Sequence, residues 1–208
     1  MTIAAALSLP SPRDEVRRIV AAAGSSFTAG MVVLPRARRD GIFAVYAFCR
    51  IVDDIADGDG EPGAKRARLD WWEEEVGRAA RGRPRSPVGH ELARAARDHG
   101  LPTGELLLVV EGMRMDAEAI VAPEPRELDR YVRCVAGAVG ILSMHVFGAW
   151  QGERSRRFAL SLARGMQLVN ILRDVEEAAG LGRLYLPRPV LEAAGIPPDP
   201  MLAARHPA

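Results

Sequence analysis

Apolar residues recur at helical spacing along most of the chain, and no stretch alternates apolar and polar in the manner of a half-buried strand. The pattern predicts a first helix over 12–23, with Arg13, Asp14, Glu15, Arg17 and Arg18 on its outer side, stopped by Gly24, Ser25 and Ser26. A second helix starts after Leu34 and Pro35, since proline suits a first helical turn, and runs past Asp53. Glycines and a proline mark 58–64 as a loop. An amphipathic helix follows over 65–80, then a basic, mobile connection reading RGRPRSP. Further helices are expected over 88–99 and 103–120, and two long ones over 127–150 and 154–179. The proline-rich tail suggests one short helix between loops. No repeat and no long linker divides the chain, so one all-α domain spanning 1–208 is expected.

Composition narrows the functional classes. The 208 residues are 48% hydrophobic and 26% charged, which excludes a mainly disordered chain. The formal charge of +1 gives no support to a nucleic-acid binder. Cys49 and Cys134 have neither disulfide-framework nor metal-site spacing and read as buried thiols. The opening residues lack a basic region and a long apolar stretch, so no signal peptide is expected. The longest uncharged run, 134–152, contains Gly137, Gly140, Ser143, His145 and Gly148, and reads as a buried helix in preference to a membrane span. A cytoplasmic protein follows from these points.

Two acidic constellations carry the chemistry. In YAFCRIVDDIADG, Asp53 and Asp57 are four residues apart, so a helix projects both from one face, with Tyr46 and Arg50 on the same stripe. Phe43, Val45, Phe48, Ile51, Val52 and Ile55 make the rest of that helix apolar. Two carboxylates on a buried helix repel each other and need a partner, and Mg²⁺ together with substrate phosphates is the fitting one. A solvated or capping acidic pair is the ordinary alternative. The second constellation, MQLVNILRDVEEAAGLGRLYLP, sets Gln167, Asn170 and Asp174 on one stripe with Glu177 a turn on, and Arg173 and Arg183 nearby. Structural hydrogen bonds and an Arg173–Glu177 pair remain open as explanations. Taken together, two facing helices with oxygen donors and arginines favour a metal–diphosphate clamp.

The segments SSFTAGMVVLPRARRDGIFAVYAFCRIVDDIAD, EGMRMD, YVRCVAGAVG and QLVNILRDVEEAAGLGRLYLP stand in the order found in squalene/phytoene synthases, and the chain resembles that family over nearly its whole length. It looks most like the branch that makes presqualene diphosphate in the bacterial hopanoid pathway. The resemblance implies an isoprenoid-synthase-type helical bundle around a central cavity, Mg²⁺ as cofactor and prenyl diphosphates as substrates. The implied reaction is the head-to-head condensation of two farnesyl diphosphates. It implies metal binding by Asp53, Asp57, Asn170 and Asp174, with Asp54 between the first two. It also implies substrate contacts by Ser25, Ser26, Tyr46, Arg50, Tyr131, Gln167 and Arg173, and catalytic roles for Tyr46, Arg50, Asp53, Asp57 and Asp174. Phe27, Phe43, Phe48 and the two tyrosines are aromatic candidates for steadying a carbocation. The greasy substrates leave room for peripheral membrane contact and for partner enzymes of the hopanoid pathway.

Two departures from the family pattern shape the expectation. Glu177 is followed by Ala178 where a second acid is usual, which predicts weakened Mg²⁺ binding. The sequence ends at Ala208 where relatives continue into further helices, so exposed apolar surface is expected. EGMRMD also carries Arg114 at a commonly acidic position. The competing functions are phytoene formation from two C20 diphosphates and a non-catalytic chain that binds prenyl lipid or a partner.

Overall fold

The computed structural model describes residues 11–25 and 27–206. Twelve α-helices and one π-helical turn run through these residues, and the described chain forms no strand beyond an isolated parallel bridge between Val121 and Leu184. α1 (Pro12–Ala22) begins at Ser11, whose hydroxyl accepts the Asp14 N–H and so satisfies one orphan donor of the first turn. α2 (Phe27–Val32) was not signalled by the sequence, because six residues bracketed by glycine and proline carry too little periodicity. α3 (Arg36–Asp57) follows, and its Gly41 to Ala56 stretch supplies ten buried residues. The loop after it is shorter than expected, since α4 (Pro62–Ala80) already starts at Pro62.

α5 (Pro87–His99) is capped by the Ser86 hydroxyl at its start and by left-handed Gly100 at its end. The connection between α4 and α5 is pinned where a mobile one was expected. Buried Glu75 accepts the backbone N–H groups of Arg85 and Ser86 at 2.8 and 2.7 Å and the Ser86 hydroxyl at 2.8 Å. α6 (Thr103–Ala117) packs on α3 and α4, and Arg114 explains itself there by pairing with Asp70 at 2.6 Å and with Glu73, both on α4.

The two long helices expected downstream are both interrupted. The first is α7 (Pro125–Val132), a π-helical turn (Arg133–Gly137) and α8 (Ala138–Val146). The wide turn packs against α6, where a Cβ on Gly112 would come within 2.5 Å of Val135 Cγ1. The run 134–152 is therefore helical only to Val146, and Cys134, Ile141, Leu142 and Val146 are buried. No helix among the described residues is long and apolar enough to cross a membrane. The second is α9 (Glu153–Arg173), which stops at Asp174 (φ −105°, ψ 24°) before α10 (Val175–Gly180). The tail holds two short helices, α11 (Arg188–Ala194) and α12 (Pro200–Ala204).

The main core joins α1, α3, α4, α5, α6 and α8 around Phe48, Val52, Leu69, Leu92 and Leu142. A smaller cluster holds Ile120, Leu128, Tyr131, Val132, Ile171 and Tyr185, and it ties α9 to the segment after α10. The outer face of α9 is apolar and open to solvent, with Phe158, Leu162, Met166, Val169 and Leu172 between 46% and 67% exposed.

Candidate functional site

The end of α3 gathers the first acidic motif. Arg50, Asp53 and Asp57 stand on one face at steps of three and four residues, and the helix is held in register by the buried residues between them. The Arg50 guanidinium donates to Asp53 Oδ2 at 3.2 Å and pairs with Asp54 Oδ1 at 2.7 Å. Burial and the neighbouring Asp57 charge push the Asp53 carboxyl up to about 6, against the opposing pull of Arg50. Tyr46 lies half-buried one turn earlier on α3, packed against the main core.

Three side chains from distant parts of the chain complete this corner. Asp116, the last residue of EGMRMD, is 5% exposed and accepts the Tyr185 hydroxyl at 2.5 Å and the Tyr131 hydroxyl at 3.2 Å. Burial raises its carboxyl to about 6. Tyr185, Arg183 and Tyr131 pull it down, and Asp57 pushes it up. The two tyrosine rings stack with centroids 4.8 Å apart. Arg183 donates from Nε to the Asp116 carbonyl at 2.9 Å, from Nη2 to the Ala56 carbonyl at 3.1 Å, and from Nη1 to Asp57 Oδ1 at 2.5 Å.

Backbone geometry sets Arg183 in place. Gly182 turns the chain at φ +74°, a conformation that costs a side-chain-bearing residue roughly 1–2 kcal/mol. The next residue but one, Leu184, then donates to the Ile120 carbonyl and accepts from the Ala122 N–H, both at 2.8 Å. These bonds lock the strand-like segment carrying Arg183 and Tyr185 alongside the loop after α6. Ala119 and Ala122 in that loop hold left-handed φ angles of 57° and 49°, a strain the bridge sustains.

The second acidic motif lies at the C-terminal end of α9. Gln167 and Asn170 on α9 and Asp174 just past its end are half-buried, while Leu168 and Ile171 pack into the cluster of Tyr131 and Tyr185. Arg173 chelates Asp174 with two bonds of 2.6 Å, which holds the Asp174 carboxyl below its usual range. α9 packs mainly on α8 and the π-helical turn, and also on α7. Leu168 and Ile171 of α9 thus link the second motif to Tyr131 and Tyr185, whose hydroxyls reach Asp116 beside the first. The interruption at Asp174 also ends the shared stripe there. Glu177 is exposed, and Ala178 packs against the tyrosine cluster.

Ser25 lies just before α2, where its hydroxyl accepts the Phe27 N–H at 3.2 Å, and Ser26 lies outside the described residues. A cavity of about 460 Å³ opens between α1, α3 and α5, but Arg13, Arg36, Asp40, Glu91, Arg94 and His99 line it and none of the expected site residues does. Sequence reasoning singled out neither Asp116 nor Tyr185 for any role. Their only signal was membership in EGMRMD and GRLYLP, since the contact that defines them spans 69 residues.

The donor set fits a hard divalent cation in part. Among the described residues no group of three or more carboxylate, histidine or cysteine side chains is placed to hold a metal by itself. Mg²⁺ commonly takes one or two carboxylates and completes its octahedron with water and substrate phosphate, which Asp53 and Asp57 can provide.

A family model described as Squalene/phytoene synthase matches residues 20–208. The presqualene diphosphate synthase of Rhodopseudomonas palustris is 42% identical over 185 residues, covering 88% of this chain and 66% of that protein. The presqualene diphosphate synthase of Sinorhizobium fredii is 44% identical over 176 residues, covering 84% of this chain and 62% of its own length. The crystal structure of squalene synthase HpnC from Alicyclobacillus acidocaldarius superimposes with a TM-score of 0.80 at 31% identity, covering 88% of this chain and 69% of that one. The chain therefore spans somewhat under two thirds of the length of these curated relatives.

Proposed function

The chain belongs to the squalene/phytoene synthase family, and from that premise we propose that it is a Mg²⁺-dependent prenyltransferase joining two farnesyl diphosphates head to head into presqualene diphosphate. The observation that carries this reading is the α3 corner, where Asp53 and Asp57 share a face and lie against two arginines, Arg50 and Arg183. Carboxylates suited to a hard cation beside guanidinium groups suited to phosphate oxygens are the donor set a metal-held diphosphate needs.

In this reading the allylic C–O bond of one substrate ionises and diphosphate leaves. A divalent cation bound by Asp53 and Asp57 supplies charge neutralisation for that departure. Arg50, and Arg173 at the end of α9, donate N–H groups to the phosphate oxygens and orient them. Gln167 and Asn170 are placed on α9 to add polar contacts to the second diphosphate. Tyr46 and Tyr131 offer aromatic faces to the allylic cation, worth ~0.5–2 kcal/mol each. The double bond of the second substrate attacks that cation, the cyclopropane closes and one proton departs. Asn170 and Asp174 complete the metal ligands in this proposal, and Ser25 and Ser26 close over the phosphates. Work at the membrane surface, alongside enzymes that supply prenyl diphosphate or consume the product in hopanoid formation, fits the substrates' chemistry.

The test is incubation of the purified chain with radiolabelled farnesyl diphosphate and Mg²⁺, without a nicotinamide cofactor. Presqualene diphosphate that disappears with Asp53→Ala supports the proposal. Turnover of geranylgeranyl diphosphate in preference to farnesyl diphosphate would move it to phytoene formation. One observation favours a second reading, a chain that binds prenyl diphosphate without turning it over. Ala178 packs into the tyrosine cluster where the family pattern carries an acid, and exposed Glu177 does not replace it. Binding of farnesyl diphosphate by folded protein with no product, and product on Ala178→Asp, would establish that alternative.

A further inference from the structure

Each carboxylate of the first acidic motif is already paired with an arginine. Arg50 holds Asp53 and Asp54, and Arg183 holds Asp57. The two partners of the second pair differ in freedom. The Arg183 side chain is 8% exposed and clamped by the carbonyls of Ala56 and Asp116, so its position does not depend on Asp57. The Asp57 side chain is 41% exposed and sits on the last residue of α3, free to rotate toward solvent. When Asp57 turns away, the Nη1 end of a fixed guanidinium is left unpaired at the edge of the site. The Asp116 charge still lies beside the guanidinium, but its carboxylate is engaged by two tyrosine hydroxyls and leaves Nη1 without a bonded anion, so a replacement anion is favoured there.

We propose, building on the diphosphate-binding reading above, that Arg183 is an internal counter-cation at Asp57 that exchanges partners on binding: the divalent cation takes the carboxylate as the diphosphate takes the guanidinium. Arg50 does the same for Asp53 and Asp54 at the outer edge. Asp53, Asp54, Asp57 and Asp116 stand around two guanidinium groups, and both guanidinium groups are engaged by carboxylates of the first motif at rest. A bare divalent cation must therefore displace guanidinium groups from the carboxylates it takes, and a bare diphosphate must displace carboxylates from the guanidinium groups it takes. Each ligand becomes favourable in the presence of the other, and the coupling is reciprocal by thermodynamic necessity. The consequence is a site that binds metal and diphosphate together and discriminates against either alone.

Two measurements on the whole chain test the exchange. In the first, Mn²⁺ without diphosphate is titrated into wild type and Arg183→Gln and followed by paramagnetic resonance. Loss of the competing cation is expected to tighten Mn²⁺ about fivefold or more, whereas an arginine with a purely structural role leaves Mn²⁺ binding unchanged or weaker. In the second, inorganic diphosphate is titrated calorimetrically in the presence of EDTA. Asp57→Asn is expected to tighten metal-free diphosphate binding by about fivefold, because Arg183 is released. Asp59→Asn removes a charge two residues further on that pairs with no arginine among the described residues, and is expected to change binding less than twofold. Should Arg183→Gln fail to fold, Asp57→Asn against Asp59→Asn decides alone. Equal tightening in the two aspartate variants, or none in Asp57→Asn, overturns the exchange while leaving the diphosphate-binding reading intact. Diphosphate binding by none of the proteins, with or without Mn²⁺, overturns both.

Discussion

Glu75 and Asp116 are both carboxylates removed from water, at 0% and 5% exposure, yet their surroundings drive them in opposite directions. Burial alone raises the Glu75 carboxyl, but the Arg78 guanidinium and the N–H and O–H groups of Ser86 and Arg85 outweigh it, and the net shift is downward. Asp116 receives two phenol hydroxyls and has Arg183 nearby, and burial still wins, pushing it up to about 6. The difference is donor chemistry. A formal cation and two backbone N–H groups stabilise the charged form strongly, whereas phenols stabilise it weakly and the Asp57 charge opposes it. Glu75 is a fastener that fixes the path from α4 to α5. Asp116 and Asp53 are unsettled charges crowded at one corner, a pattern that marks functional sites more often than scaffolds.

The contrast breaks most visibly at Glu75. Glu75→Ala leaves the Arg85 and Ser86 N–H groups without their acceptor and is expected to cost about 3–5 kcal/mol. Thermal denaturation followed by circular dichroism should show a Tm lower by roughly 10 °C. An unchanged Tm would remove Glu75 from its structural role.

The pH dependence separates the two carboxylates by sign. Between about pH 6 and the ordinary carboxylate range, folded Asp116 binds more protons than unfolded Asp116, so its contribution to stability rises as the pH falls through about 6. Glu75 runs the other way: its contribution is present above the unfolded value of 4.5 and is lost as the pH falls through its lowered folded value. Denaturant midpoints of wild type and Asp116→Asn should therefore converge or cross in wild type's favour on acidification from pH 7 to pH 4, by of the order of 2–3 kcal/mol. A difference independent of pH would mean that Asp116 titrates normally.

Smaller effects sharpen the picture. A Cβ on Gly89 would sit 2.1 Å from Glu75 Oε1, and that oxygen is held by three donors, so it cannot swing aside. Gly89→Ala is expected to cost about 2 kcal/mol by overpacking, while Gly104→Ala, with nothing within 4 Å of its Cβ, should be neutral or slightly stabilising in the same melt. Tyr185→Phe removes one of the two phenol donors to Asp116 and should cost about 1 kcal/mol. A carboxyl ¹³C titration of that variant is expected to place Asp116 above its wild-type value, and a lower value would contradict the assignment of Tyr185 as a charge-stabilising donor.

Much of this architecture is legible along the chain because it is local. Ser11, Ser86 and Gly100 sit where caps belong, and prolines open α4, α5 and α7, so those boundaries fall near their expected places, while the tail folds into two short helices where one was expected. The face shared by Arg50, Asp53 and Asp57 likewise follows from spacing on one helix. The π-helical turn at Arg133–Gly137 escaped notice because its apolar pattern is indistinguishable from an α-helix, and its widening answers to the close approach of α6 at Gly112. The break at Asp174 escaped for a similar reason, since VNILRDVEEAA is periodic through it. RGRPRSP looked mobile because its fastener, Glu75, lies on the preceding helix and carries no mark in the sequence.

The sequence by itself determined the helical class, the family and the acidic face of α3, because each depends on residue order within a few turns of one helix or on motif order along the chain. Only the tertiary structure decided which charges meet. Arg183 reaches Asp57 across 126 residues and Tyr185 reaches Asp116 across 69. The second acidic motif, equally plain in sequence, meets the tyrosine cluster through Leu168 and Ile171, and those tyrosines bond Asp116 beside the first. Helical periodicity fixes the face of a side chain within its own helix. The distance between two helices depends on the packing of every residue between them.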